Sequence, residues 1–370
     1  MDFAWSEFFT SILIVSGISG ILATLMVIAD ATIGNYGELK IAINKKKELT
    51  VEGGQPLLTA LKNKSIFIPS ACGGRGSCGL CKLKVDSGGG DILSTELPWL
   101  DDKEKAEKIR LSCQLKVKQN MELTIPEELF NVKEYKTEVS SIVNLTHDIK
   151  EITLALLEPA EIEFKAGQFI QMEIPEYDLT DEPVYRAYSI ASAPSMKNSI
   201  KLQIKYVPDG ISTTYVNRHM KVKDKVIVNG PYGDFCLRNN NRELIFMATG
   251  SGMAPIYSIL LDMAEKGVNK KTTFFFGCKE KRDLFLTEEM KDLERKMTGF
   301  KFVPSLSRPR EEDNWQGETG RLNTVIKKYL SDTSEVEAYL CAGTSVIESY
   351  KNALKEMGIP ENRIFYDDFG

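Results

Sequence analysis

Histidine is nearly absent from this chain: His147 and His219 are the only two in 370 residues. Neither has the close His or Glu spacing of a zinc hydrolase, which excludes histidine-based metal or triad chemistry. Excess basic charge is missing too. The net charge of −5, with no basic stripe or arm, argues against nucleic acid as a ligand. There is no internal repeat and no low-complexity tract. Ionisable residues are absent from Phe8 to Ala29, so whatever that segment does, it offers no ion path of its own. Seven cysteines is an odd number, and no other feature indicates a disulfide-stapled secreted scaffold.

Four of those cysteines are the most informative residues present. Cys72, Cys78 and Cys81 follow the spacing C-x5-C-x2-C, and Cys113 comes after a long gap. A [2Fe-2S] cluster is held by four thiolates, and the plant-type arrangement is a C-x4-C-x2-C loop plus a distant fourth ligand. This chain carries one more residue in the first gap. The glycines at 73, 74, 76 and 79 suit a loop that must turn tightly and aim backbone N–H groups at sulfur. A structural zinc site is the rival reading, although only Cys78 and Cys81 form the paired knuckle zinc prefers. Cys236, Cys278 and Cys341 lie far apart, and their plain reading is as small buried hydrophobes.

The uncharged Phe8–Ala29 run is long enough to cross a hydrocarbon core of about 30 Å as a helix. A signal peptide competes, with Ala29-Asp30-Ala31 as a passable cleavage site, but Asp2 and Glu7 stand where export requires basic residues. Lys40, Lys45, Lys46 and Lys47 follow the span and predict a cytoplasmic C-terminal part. Residues 1–33 are therefore expected to be a single membrane anchor.

Residues 34–130 read as a small α+β domain. Alternation at Leu39, Ile41 and Ile43 and again at Leu49 and Val51 predicts a hairpin, and Pro56 opens a short helix. Residues 131–238 show several short strands, the pattern of an antiparallel β-barrel. From 239 to 370 the rhythm becomes strand–helix, which predicts a doubly wound parallel sheet. There, Gly250-x-Gly252-x-x-Pro255 lies between a buried strand and a helix, in outline a dinucleotide cradle. Arg186-Ala187-Tyr188-Ser189, in the barrel segment, offers a cation for a phosphate and a ring to stack on a flat cofactor; an exposed amphipathic strand would read the same.

Arg186-x-Tyr188-Ser189, Gly230-Pro231-Tyr232-Gly233, the Gly250 turn and Cys341 after a strand together resemble the ferredoxin–NADP+ reductase superfamily. With the N-terminal span, the cysteine loop and the ending Phe365-Tyr366-Asp367-Asp368-Phe369-Gly370, the whole chain resembles the F subunits of sodium-translocating NADH:quinone oxidoreductases. The resemblance implies FAD, a [2Fe-2S] cluster and NADH. It implies that Cys72, Cys78, Cys81 and Cys113 hold the cluster. Arg186, Tyr188 and Ser189, with Gly210, Ser212 and Thr213, would bind FAD; Gly250, Gly252 and Pro255 would receive the nicotinamide dinucleotide. Cys341 would stand near the nicotinamide and flavin, and Phe369 would cover the flavin's other face. Lys281 and Arg282 leave NADPH open as donor, since a 2′-phosphate would welcome them. The implied setting is the inner (plasma) membrane, single-pass, with integral-membrane partner subunits and quinone as final acceptor. An oxygenase reductase, another membrane electron-transfer complex and a zinc-stabilised non-catalytic scaffold are the alternatives.

Overall fold

A computed structural model describes residues 5–33, 36–70 and 72–369. It forms two compact units: one runs to Ile68 and from Gly74 to Phe130, and the other holds Pro69–Gly73 and Asn131–Gly370.

The first unit begins with helix α1 (Trp5–Ile33). From Phe9 to Val27 this helix has a mean hydropathy of 2.0, and none of it is covered by the rest of the chain. It is long and apolar enough to cross a bilayer, and its apolar side chains have no protein core to bury them.

Beyond it stand β1 (Glu38–Ile43), β2 (Lys47–Glu52), α2 (Leu57–Lys62), β3 (Lys82–Ser87), α3 (Asp102–Ala106), β4 (Ile109–Leu111) and β5 (Met121–Thr124). They form one sheet in the order β2-β1-β5-β3-β4. The expected hairpin is present, with Ile41 opposite Leu49 and Leu39 opposite Val51. Ile41 and Ile43 of β1, Leu57 and Leu61 of α2 and Leu111 of β4 are fully buried, so the core lies on one face of the sheet beneath the helix.

A buried ion pair fastens the long loop between β3 and α3. Glu96 is fully buried and Arg110 nearly so, with Nη2 and Oε2 2.6 Å apart. Arg110 also donates to the carbonyls of Gly89, Gly90 and Asp91 at 2.6, 3.0 and 2.9 Å, while Glu96 accepts the Leu93 and Leu111 N–H groups. Desolvation pushes the Glu96 carboxyl up, but the Arg110 bonds and the two backbone donors outweigh it and hold it below the usual range. Its contribution to stability is thus present above the unfolded carboxylate range and lost as pH falls through the lowered folded value. Removing one partner strands a buried charge. Arg110→Met is expected to cost about 3–5 kcal/mol, read as an earlier loss of the first unit's transition in urea.

The second unit opens with β6 (Lys133–Asn144), β7 (Ile149–Glu158), β8 (Phe169–Ile174), β9 (Val184–Ser189), β10 (Ser199–Lys205), α4 (Ile211–Arg218) and β11 (Lys225–Tyr232). The antiparallel order β10-β7-β6-β11-β8-β9 closes where Ile190, just past β9, bridges Leu202 of β10. This is the expected barrel, filled by Ile152, Leu154, Ile170, Met172, Leu202 and Val228.

Then follow β12 (Glu243–Thr249), α5 (Met253–Glu265), β13 (Thr272–Cys278), α6 (Thr287–Lys296), β14 (Phe300–Leu306), β15 (Glu318–Thr319), α7 (Leu322–Val325), β16 (Val336–Ala342), α8 (Thr344–Glu356) and β17 (Ile364–Asp368). All six strands are parallel, in the order β15-β14-β13-β12-β16-β17. The runs Ile245-Phe246-Met247 and Phe274-Phe275-Phe276 are buried on both faces, as a sheet covered by helices on each side requires. Strand order reverses between β12 and β16. Ligands of such sheets bind outside the carboxyl ends of the strands at that switch point.

Candidate redox site

The turn after β12 is built for close approach. Gly250 adopts φ +54° and starts a short 3-10 turn that leads into α5. A Cβ on Gly252 would stand 2.1 Å from the Cys341 carbonyl oxygen, so only hydrogen fits there. Pro255 occupies the first turn of α5, where a missing N–H leaves nothing unpaired. These residues place a helix N-terminus and free backbone donors at the switch point, an anion-binding arrangement. Lys205 of β10 enters the same place: its Nζ lies 3.7 Å from where a Gly250 Cβ would stand and 3.4 Å from Asp148. The sequence pattern gave no sign of this cation, because it belongs to a barrel strand remote in sequence from the glycine turn.

Cys341 is fully buried at the end of β16, in register with Ala248 on one side and Asp367 of β17 on the other. Burial first, then Asp367 and Asp368, pushes its thiol well up, so it is a neutral, apolar sulfur. Ser189 donates from Oγ to Asp367 at 3.2 Å and so ties the barrel strand β9 to β17. Arg186 and Tyr188 share a face of β9, two residues apart. The Tyr188 hydroxyl meets the Ser212 hydroxyl at 2.5 Å on the first turn of α4. Ser189 and Cys341 are thereby joined through neighbouring strands at one crevice.

Gly210 caps α4 at its N-terminus. Thr213, expected on the cofactor, donates its hydroxyl to the Val207 carbonyl at 2.9 Å and accepts the Val207 N–H at 3.1 Å. Its neighbour Thr214 has a buried hydroxyl without a protein partner. Tyr188, Ser212 and this orphaned hydroxyl make the start of α4 fit a polar cofactor that supplies an acceptor. Phe369 is 42% exposed and anchored through its N–H to the Ala342 carbonyl at 3.1 Å, so its ring is available to cover a neighbour.

Of the four expected cluster cysteines, Cys81 and Cys113 are buried and Cys72 and Cys78 half-buried. Cys81 and Cys113 meet through a thiol–thiol hydrogen bond, which together with burial pushes the Cys81 thiol up. Ser112 holds the Cys81 carbonyl from both N–H and Oγ, at 2.9 and 3.0 Å, and Gln114 Nε2 points at Cys113 sulfur from 3.5 Å. Among the described residues, no group of three or more His, Cys, Asp and Glu stands at metal-binding range. The donor set nevertheless fits an iron–sulfur cluster. Gly73, Gly74, Gly76 and Gly79 all take positive φ, between +66° and +88°, and wind the loop round its cysteines. Two buried thiols side by side release their protons to a metal, not to water.

Comparison with known proteins now bears on this geometry. Residues 41–118 match the model for a 2Fe-2S iron-sulfur cluster binding domain, 136–236 an oxidoreductase FAD-binding domain and 246–351 an oxidoreductase NAD-binding domain. The chain is 37% identical over 390 residues to the F subunit of the Na(+)-translocating NADH-quinone reductase of Neisseria meningitidis, covering 95% of this chain and 96% of that one. It is 34% identical to the F subunit of the same enzyme in Serratia proteamaculans, covering 98% and 100%. The chain belongs to the family of these F subunits. It is an oxidoreductase with domains for NAD, FAD and a [2Fe-2S] cluster. Among solved structures, the Amycolatopsis cytochrome P450 reductase GcoB shares the fold at TM-score 0.73 and 22% identity, over 90% of this chain and 98% of that one. The ferredoxin reductase in carbazole 1,9a-dioxygenase does so at TM-score 0.69 and 22% identity, with the same coverage.

Asp367 is another site residue that sequence reasoning missed, although it stands two places before Phe369. Burial, then Asp368 and Asp234, raise its carboxyl to about 6, while the Ser189 bond pulls it down. The folded value lies above the unfolded one, so protonation favours the fold and stability falls as pH rises from the ordinary carboxylate range through about 6. Asp367→Asn is expected to flatten that decline in the thermal midpoint measured against pH; an unchanged slope would remove Asp367 as its source.

Proposed function

We propose that this chain is the membrane-anchored NADH dehydrogenase component of an ion-translocating respiratory complex. It takes a hydride from NADH onto a bound FAD and passes single electrons through a [2Fe-2S] cluster to membrane partner subunits, with quinone as the final acceptor. The observation that carries the reading is the Ser189–Asp367 bond. It joins the barrel strand bearing Arg186 and Tyr188 to the edge of the sheet that bears Cys341 and the Gly250 turn.

When bound, FAD supplies the conversion of a two-electron donor into single electrons, and the cluster supplies a one-electron carrier. The chain's own residues orient and exclude water. Gly250 and Gly252 let backbone N–H groups approach a pyrophosphate, with Lys205 adding a cation from the opposite wall. Arg186 and the start of α4, with Gly210 and Ser212, are assigned to the flavin phosphates, and Tyr188 to its ring. Thr213 positions the α4 turn, and Thr214 offers the unpartnered hydroxyl. With the cofactors bound, Cys341 would stand as an apolar sulfur near the nicotinamide, and Phe369 would shield the flavin from solvent. Cys72, Cys78, Cys81 and Cys113 are assigned as cluster ligands. Helix α1 anchors the chain in the inner membrane as a single span, with the remaining domains on the cytoplasmic side.

Cys78→Ser separates the two halves of the relay. In membranes holding the assembled complex it is expected to abolish the reduced-cluster EPR signal and NADH:quinone turnover. NADH:ferricyanide activity, which draws on the flavin, should stay within about twofold of the parent. Quinone turnover that survives without the cluster signal would contradict the assignment.

A further inference from the structure

Beside the Gly250 turn, the parallel sheet carries a second cluster of charge. β13 and β14 end next to that turn, with Thr249 opposite Gly277 and Cys278 opposite Leu306. The loops that leave them stay bonded to each other. The Ser307 N–H donates to the Cys278 carbonyl at 2.9 Å and the Arg308 N–H to the Lys279 carbonyl at 2.8 Å. Glu280 stands in the first loop at the start of a 3-10 turn (Lys281–Asp283), where its N–H donates to Asp283 Oδ2 at 2.9 Å. Two arginines converge on its carboxylate. Arg282 Nε lies 2.8 Å from Glu280 Oε2, and Arg310 Nη2, from the loop after β14, lies 2.6 Å from it. Glu280 is 22% exposed, whereas Arg282 and Arg310 are 60% and 46% exposed. Arg310 also meets Glu312 at 3.3 Å, and Lys281 reaches away to the Asp313 carbonyl at 2.8 Å. Lys281 and Arg282, the cations that leave NADPH open on sequence grounds, are therefore both engaged, and Glu280 holds one of them.

Position in the sheet says what meets this cluster. The proposed relay sets the nicotinamide near Cys341 on β16 and the pyrophosphate at the Gly250 turn after β12. The dinucleotide then runs across the strand ends away from β16. Its adenosine half comes over β13 and β14, each strand about 5 Å beyond the last. In sheets of this kind an acidic residue past the second strand accepts the 2′-hydroxyl of the NADH adenosine ribose, while an arginine there accommodates the 2′-phosphate of NADPH. This chain has both, and they are paired with each other. A neutral hydroxyl can donate to the carboxylate and leave the arginines where they are. A 2′-phosphate meets a carboxylate of like charge, and the guanidiniums that would bind it are already taken.

We infer that Glu280 is the residue that selects NADH over NADPH: it receives the ribose 2′-hydroxyl and withholds Arg282 and Arg310 from a 2′-phosphate. The inference rests on the proposed relay and adds how its donor is chosen.

The test uses full-length protein holding FAD, with ferricyanide as acceptor and NADH or NADPH as donor. Glu280→Gln is expected to raise kcat/KM for NADPH by about tenfold or more and to lower that for NADH by less than about tenfold. The change should lie in KM, not in kcat, because it acts on the end of the donor remote from the hydride. Glu280→Gln/Arg310→Gln should lose most of the NADPH gain, since the released guanidinium is what holds the phosphate. Competition reads the same preference without turnover of NADPH. Against NADH, 2′,5′-ADP should inhibit Glu280→Gln about tenfold more tightly than the parent, and 5′-ADP no more tightly. A parental NADPH:NADH ratio in Glu280→Gln, or a gain undiminished by the loss of Arg310, would overturn the inference and leave the relay standing. So would a parent that already uses the two donors equally. If Glu280→Gln does not retain FAD, Glu280→Ser decides in its place. Failure of NADH to bleach the flavin in the parent would sink the proposed function, and the inference with it.

Discussion

A single close approach organises the redox half of this molecule. The Gly252 backbone lies against the Cys341 carbonyl with room for nothing larger than hydrogen. That contact brings the turn after β12 beside the end of β16, and so forms the crevice where strand order reverses. Everything else at the site is arranged from it. The parallel register sets Asp367 next to Cys341, Asp367 receives Ser189, and Ser189 fixes the strand carrying Tyr188 and Arg186. A side chain at position 252 would part the two strand ends and disturb each of these placements in turn.

The first unit relies on a different device. Its sheet and α2 supply an ordinary apolar core, but the loop over the cysteines cannot be held by burial because its leucines face water. A charged pair inside the protein holds it instead. Such pairs add little net stability compared with apolar residues, yet are expensive to break from one side, so they fix geometry more than they raise stability. Here the fixed geometry is that of Trp99 on Gly79 and of the chain entering Cys113.

The elements that sequence periodicity predicts are those whose pattern is local. The first hairpin, the barrel strands and the buried runs of β12, β13 and β16 all stand where alternation or continuous apolar character placed them. The cysteine spacing and the glycine turn were legible because metal and phosphate chemistry demand fixed residues at fixed distances. Asp367, Lys205, Thr214 and the Arg110–Glu96 pair were not. Ser189 and Asp367 are 178 residues apart, and each alone looks like an ordinary polar residue.

The relay from NADH through flavin to cluster is the central claim, and one experiment reads all of it. Purified full-length protein, loaded with FAD and iron–sulfur cluster, is treated with NADH without oxygen and followed by visible and low-temperature EPR spectroscopy. The account predicts that the flavin bleaches and that a rhombic signal of a reduced [2Fe-2S] cluster appears in the same sample. A flavin that bleaches while the cluster stays oxidised, or a colourless protein carrying zinc, would contradict it.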